Sequence, residues 1–324
     1  MKKVVIFSTG GTIAMKQDPV TGGLVPAVSG KDLVDAIPAM AELGEVDVRE
    51  FSNVPSGYMT PEMMFRLAGE CDRAAADPEV AGIVVTHGTD TLEETAYMLS
   101  LATKTEKPVV CTGAMRGSAD LSADGPANLF GAVRTAFCPE AAGRGALLVF
   151  NDQIHAAEQV MKMHSVSCST FASPGWGPLG YIYSDRIVFR FRPERVEKIR
   201  PERPEYDVAL VKACTGMDDF IFRTLADRPV AGMVVEAYGC GNVQPAVKKG
   251  IEYVRSKGIP VVLATRASSG RVAPVYSYEG SLASMRGSRV IGAGELSSHK
   301  ARLKLMCVLG LTRDIDAIAG YFDR

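Results

Sequence analysis

Val4-Val5-Ile6-Phe7-Ser8-Thr9-Gly10-Gly11-Thr12-Ile13-Ala14 and Ile83-Val84-Val85-Thr86-His87-Gly88-Thr89-Asp90-Thr91 are two apolar runs that each end directly in a turn of glycine, threonine and other polar residues. Short continuous apolar runs bounded by such turns read as strands buried on both faces, the mark of a parallel sheet. Loops that follow parallel strands are where open α/β sheets bind their ligands, so Thr12, Thr89 and Asp90 fall at ligand-binding positions. Taken singly, each turn is also consistent with a plain strand-to-helix connection. Taken together, they bring two hydroxyls toward one cleft and point to hydroxyl chemistry.

Similar apolar runs recur at about 3–8, 81–86, 108–112, 146–150, 208–213, 230–236 and 259–264, with helically spaced stretches between them. This alternation predicts two α/β domains, a larger N-terminal parallel-sheet domain over 1–189 and a smaller C-terminal parallel-sheet domain over 207–324. Residues 190–206, charged and interrupted by Pro193, Pro201 and Pro204, read as the linker. Val80-Ala81-Gly82-Ile83-Val84-Val85 is echoed by Val230-Ala231-Gly232-Met233-Val234-Val235, and Lys107-Pro108-Val109-Val110 by Ile259-Pro260-Val261-Val262, as expected of two βαβ units. Thr91-Leu92-Glu93-Glu94 fits a capping box and predicts a helix from residue 92. Thr60-Pro61-Glu62 predicts a second helix start after the 53–59 loop. Met59, Met63 and Met64 read as core-filling thioethers.

Composition narrows the function. Thirty-six Lys and Arg balance 37 Asp and Glu across 324 residues, a formal net charge of −1, which disfavours nucleic acid and anionic membranes as partners. The apolar run at 4–7 is too short for a signal peptide and no stretch is long enough to span a bilayer, so a cytoplasmic protein is expected. The seven cysteines lack Cys-x-x-Cys spacing and mostly lie in apolar runs, which reads as buried thiols; the four histidines lack metal-ligand spacing, so no metal is expected. Neither a dinucleotide fingerprint nor a phosphate loop is present. Ser297-Ser298-His299-Lys300 contains Ser-x-x-Lys without its companion motifs and falls at an expected helix N-cap. Lys162, flanked by Val160, Met161 and Met163, is a candidate proton acceptor for a threonine hydroxyl, although the sequence alone favours a solvated surface lysine.

The segments 8–14 and 86–91, with Val-Val-Cys-Thr-Gly-Ala-Met-Arg at 109–116, Ser-Ala-Asp-Gly-Pro-Ala-Asn-Leu at 122–129, Gly-Pro-Leu-Gly-Tyr-Ile at 177–182 and Lys300-Ala301-Arg302, resemble the bacterial-type L-asparaginase family over essentially the whole chain. The resemblance implies hydrolysis of L-asparagine to L-aspartate and ammonia, without a cofactor. It makes Thr12 the nucleophile and Thr89, Asp90 and Lys162 a second polar triad. It places the substrate's α-carboxylate and α-amino group on Ser56, Thr89 and Asp90, and the developing oxyanion near the backbone of Thr89 or Ala114. It also implies a homodimer or homotetramer in which Asn242 and an acidic residue complete a neighbouring copy's site; Glu279 is the candidate for that acid, and a solvated loop acid is its alternative reading.

Two departures from the family pattern bear on activity. Residues 13–30 contain no tyrosine where the family has one beside the first threonine, with Tyr58 as a candidate substitute; Gly57 follows Ser56 where many members carry a polar residue. The alternatives are a glutaminase-asparaginase of broader specificity and a non-catalytic amino-acid-binding protein. A subunit of a transamidation complex is disfavoured, because such chains carry an extra N-terminal domain.

Overall fold

The computed structural model describes residues 2–11, 13, 15–17, 21, 24–26 and 30–323. The chain divides into two compact units, residues 1–198 and 199–324.

In the first unit the apolar runs become β1 (Lys3–Ser8), β4 (Glu45–Glu50), β5 (Val80–Thr86), β6 (Val109–Thr112) and β7 (Ala146–Phe150), all parallel, in the order β7-β6-β5-β1-β4. Between β1 and β4 lie the hairpin strands β2 (Met15–Gln17) and β3 (Leu24–Pro26) and the helices α1 (Gly30–Asp35) and α2 (Met40–Leu43). Helices α3 (Pro61–Ala75), α4 (Leu92–Ala102) and α5 (Gly125–Phe137) make the crossovers. Val4, Ile6, Val84, Val110, Leu147 and Val149 meet Leu129, Ala132, Val133 and Ala136 of α5 in a single core, while Val5, Ile83, Val85 and Cys111 between them are equally buried. Burial on both faces accounts for the unbroken apolar runs, each fully buried Val or Ile contributing about 1.5–3 kcal/mol.

This sheet is mixed, which corrects the expectation of a parallel sheet throughout. After β7 the chain reverses through Asn151 and Asp152, both with positive φ (49° and 59°), into antiparallel β8 (Gln153–Ala156). Two consecutive left-handed residues make a tight hairpin, which no helical crossover can replace. Beyond β8 come the short pair β9 (Met161–Lys162) and β10 (Phe171–Ala172), then β11 (Gly180–Ile182) and β12 (Ile187–Phe189), which extend the main sheet antiparallel.

The second unit holds the parallel sheet β13 (Val208–Lys212), β14 (Gly232–Ala237), β15 (Val261–Thr265) and β16 (Ile291–Gly292). Helices α6 (Phe220–Ala226) and α7 (Pro245–Ser256) supply Phe222, Val247, Ile251 and Val254 to a core shared with Met233, Val235, Val261 and Leu263. Helix α8 (Ser298–Leu309) is buried along most of its length and α9 (Ile315–Phe322) ends the unit. Ser297 stands at the N-cap of α8, but its side chain does not cap; its hydroxyl lies 3.2 Å from His299 Nε2, and Ser298 donates instead to Glu236 at 2.6 Å.

Both predicted helix starts are found, for different reasons. Thr60 caps α3 by accepting from the Met63 amide at 3.2 Å, and Pro61 occupies the first turn. Residues Met64, Leu67, Ala68, Cys71, Ala74 and Ala75 form its buried stripe at helical spacing. Helix α4 begins at Leu92 without the predicted capping box: the Thr91 side chain makes no cap hydrogen bond and is turned instead toward the Ser56 carbonyl, to which its hydroxyl donates at 2.7 Å. The thiols also depart from expectation. Cys71, Cys111 and Cys307 are buried, but Cys138, Cys168 and Cys240 are half-buried and Cys214 is exposed.

Candidate active site

The order β4-β1-β5 reverses direction at β1, so the crevice of this sheet opens between the C-terminal ends of β1 and β5. Three turns meet there. Thr9 donates its amide and its hydroxyl to the Thr86 carbonyl at 3.1 and 2.9 Å, and its own carbonyl accepts from the Val54 amide and the Ser52 hydroxyl, both at 3.1 Å. The turn after β1 is therefore tied to β5 on one side and to the 52–54 segment on the other. Gly11 (φ 89°) lies so close to the second turn that a Cβ would sit 2.3 Å from the Gly88 nitrogen. Only glycine satisfies both that φ and that approach.

Gly11→Ala is accordingly expected to destabilise the protein by roughly 2–4 kcal/mol, whereas Gly57→Ala should change stability by less than about 0.5 kcal/mol. A Cβ on Gly57 meets nothing within 4 Å, so steric demand does not explain that glycine. Urea unfolding of the two variants beside wild type checks the contrast; equal losses would contradict it.

The second turn carries the densest set of polar contacts. Ser56, buried in a short 3₁₀ turn (Ser56–Tyr58), accepts the Asp90 amide on its hydroxyl at 3.2 Å while its carbonyl holds Thr91. Thr89 is 6% exposed. Lys162 Nζ donates to Thr89 Oγ1 at 3.0 Å and to Asp90 Oδ1 at 2.7 Å. The lysine side chain is 15% exposed and the aspartate 77%, so the ammonium is sheltered while its carboxylate partner faces water. The surface-lysine reading is thus excluded.

Behind this turn, His87 is fully buried. Its Nδ1 lies 2.7 Å from the Gly88 carbonyl, which can only accept, so the proton sits on Nδ1 and Nε2 accepts from the Thr95 hydroxyl at 2.9 Å. Burial, opposed by the Gly88 carbonyl, lowers its pKa from the usual 6.5 to about 4; burial does the same to His155, whose Nδ1 meets the Ser173 hydroxyl at 2.9 Å. A folded-state pKa below the unfolded one means that the unfolded chain binds more protons between pH 6.5 and 4. The stability from each neutral imidazole is complete above about pH 6.5 and is lost as pH falls toward 4, up to about 3 kcal/mol apiece. Unfolding free energy measured from pH 7 to pH 4 should therefore fall less steeply in His155→Asn than in wild type. Equal slopes would contradict the neutral buried imidazole.

The third turn follows β6. His87 donates its amide to the Thr112 carbonyl at 2.9 Å, and a Cβ on Gly113 would lie 2.3 Å from the His87 carbonyl, which sets the fully buried Ala114 beside the second turn's backbone. Asn128 fixes this loop by donating to the Gly113 carbonyl at 3.0 Å and accepting the Asn151 amide at 2.9 Å. Asp124, at the N-cap of α5, turns its carboxylate to the Met115 and Arg116 amides rather than capping its helix. Neither supporting role was read from the sequence, although both residues lie in the 122–129 motif.

Ser56, Thr89, Asp90 and Lys162 are therefore brought together, with Gly57 and Ala114 on adjoining turns. Thr12 lies outside the described residues; it follows Gly11 directly in the chain. Tyr58, the candidate substitute for the missing tyrosine, is 72% exposed, the position of a rim aromatic. Asn242 and Glu279 belong to the second unit. There Asn242 is half-buried in a turn closed by a bridge to Tyr238, and Glu279 is exposed.

Comparison with known proteins covers the whole chain. Residues 3–195 match the family model described as Asparaginase, N-terminal, and residues 207–322 match the Glutaminase/Asparaginase C-terminal domain. The chain is 37% identical to the probable L-asparaginase of Deinococcus radiodurans, over 96% of this chain and 94% of that protein. It is 33% identical to L-asparaginase 2 of Bacillus subtilis, over 100% of this chain and 86% of the relative. The solved structure of a probable cytoplasmic L-asparaginase from Campylobacter jejuni superposes with a TM-score of 0.90 at 32% identity, covering 99% of each chain.

Proposed function

The chain belongs to the asparaginase family, and from that premise we propose that it is an L-asparaginase, an amidohydrolase that converts L-asparagine and water to L-aspartate and ammonia. The observation that carries this reading is Lys162 Nζ held 3.0 Å from the Thr89 hydroxyl and 2.7 Å from the Asp90 carboxylate at the mouth of the β1/β5 crevice. A module that merely bound an amino acid would need carboxylate and amine contacts, but would have no use for a sheltered amine against a hydroxyl.

In this reading Thr12 attacks the side-chain amide carbon. The C–N bond breaks, the Thr12 proton passes to the leaving nitrogen, and ammonia departs from an acyl-enzyme that water then hydrolyses to aspartate. Lys162 relays a proton between its amine and the Thr89 hydroxyl or the attacking water, and Asp90 stabilises its ammonium form. Ser56 and Thr89 hold the substrate's α-carboxylate and Asp90 its α-ammonium, while backbone amides near Thr89 and Ala114 stabilise the tetrahedral oxyanion. The active form is a homodimer or homotetramer in which Asn242 and Glu279 of a neighbouring copy complete each site. A cytoplasmic location, which the name of the Campylobacter jejuni relative supports, belongs to the same reading.

Ammonia release from L-asparagine, L-glutamine and D-asparagine tests the assignment. The fastest release is expected from L-asparagine; comparable rates on L-glutamine would move the reading to a glutaminase-asparaginase, and none on any substrate would refute it. Size-exclusion chromatography with activity assayed across the peak tests the shared site, which a fully active monomer would contradict.

A further inference from the structure

The chain positions Lys162 with a second contact, made to its backbone. Lys162 lies on β9, where it faces Phe171 of β10 in an antiparallel pair. The hairpin's hydrogen bond runs from the Met163 amide to the Thr170 carbonyl at 2.7 Å, which makes Lys162 and Phe171 a non-hydrogen-bonded pair. The Lys162 N–H therefore points away from its partner strand. It donates to Glu93 Oε2 at 2.5 Å. Glu93 is the second residue of α4 and only 8% exposed, and a buried carboxylate is costly to desolvate without hydrogen-bond donors. The segment that begins α4 thus holds this strand at two points: Thr89 and Asp90 take the ammonium, and Glu93 takes the main chain of the same lysine.

We propose that Glu93 is a positioning residue for the reaction, its carboxylate fixing the Lys162 backbone so that Nζ is delivered to the Thr89 hydroxyl. This rests on the catalytic part assigned to Lys162 above. The competing role is a plain helix-start acid, since glutamate in the first turn of a helix complements its dipole. That role affects stability but not the lysine.

Glu93→Ala and Glu93→Gln in the full-length chain separate the two. Glutamine keeps an oxygen at the same reach as an acceptor for the Lys162 amide, and alanine removes it. Displacing a reacting group by about 1 Å costs on the order of 100-fold, so Glu93→Ala should lose about that factor in kcat with KM changed less than about threefold. Glu93→Gln should recover kcat to within about fivefold of wild type. Hydrogen exchange followed by mass spectrometry on a peptide spanning 160–165 should show the Lys162 amide exchanging at least about tenfold faster in Glu93→Ala, with protection kept in Glu93→Gln.

Unchanged kcat in Glu93→Ala, equal losses in both variants, or unchanged exchange would each overturn the proposal. Should Glu93→Ala fail to fold, Glu93→Met, which keeps side-chain length without the acceptor, takes its place in both measurements. The exchange measurement needs no turnover. If wild type releases no ammonia, the L-asparaginase reading falls, and the tether still stands or falls on the exchange rates.

Discussion

Replacing Lys162 with Met is expected to lower kcat on L-asparagine by roughly 1,000-fold, the scale of a lost general base. Methionine keeps the unbranched stem of a side chain that is 15% exposed, so packing survives, and the lost ion pair leaves behind an aspartate that is already 77% exposed. A pair so open on one side contributes little to folding, and the melting temperature should move by only a few degrees. The combination is diagnostic: activity collapses while the fold persists. Steady-state ammonia release together with thermal unfolding checks it, and a variant that retains a tenth or more of the wild-type kcat would remove Lys162 from the reaction.

Thr12→Ala should be more severe, with kcat falling by roughly 10,000-fold or more, because removing a nucleophile removes the covalent route itself. L-asparagine should still bind, since the groups assigned to its α-carboxylate and α-ammonium lie on the Ser56 and Thr89–Asp90 turns. Thr89→Val should also be strongly impaired, having lost the hydroxyl that Lys162 contacts at 3.0 Å. It should be impaired in substrate affinity as well, because Thr89 is placed in both the binding and the relay roles. If Thr12→Ala kept most of its rate while Thr89→Val had none, the roles of the two threonines would be reversed.

The parts of the fold most legible in the sequence are those with both faces buried. Val4–Phe7 and Ile83–Val85 have no solvent face, so their residues are apolar without interruption, and the strand and its parallel neighbours can be read directly. Strands β8 to β12 run two to four residues each and were not legible, since so short a segment carries no periodicity. Their cue was the Asn151-Asp152 pair, residue types that tolerate positive φ at a hairpin turn.

In the site, Thr89 and Asp90 were visible as a turn, but the sequence favoured a solvated side chain for their partner Lys162. Burial and contact 72 positions along the chain are decided by the path of β8 and β9, which local pattern does not encode. The Thr91 box was misread because the direction in which the hydroxyl turns depends on a carbonyl 35 positions away, that of Ser56, which the local motif does not show. Glu93 lies inside that same motif, which assigns it no role of its own. Its contact with the Lys162 amide exists only once the β9–β10 hairpin has folded against α4.

The most direct test of the central claim is to incubate the wild-type protein with L-asparagine and quantify aspartate and ammonia in the same sample, with bound asparagine measured in parallel. Hydrolysis at the Thr89–Asp90–Lys162 site predicts one aspartate formed for each ammonia released, with continued turnover beyond one equivalent of protein. Asparagine that binds and is recovered intact, with neither product formed, would contradict it.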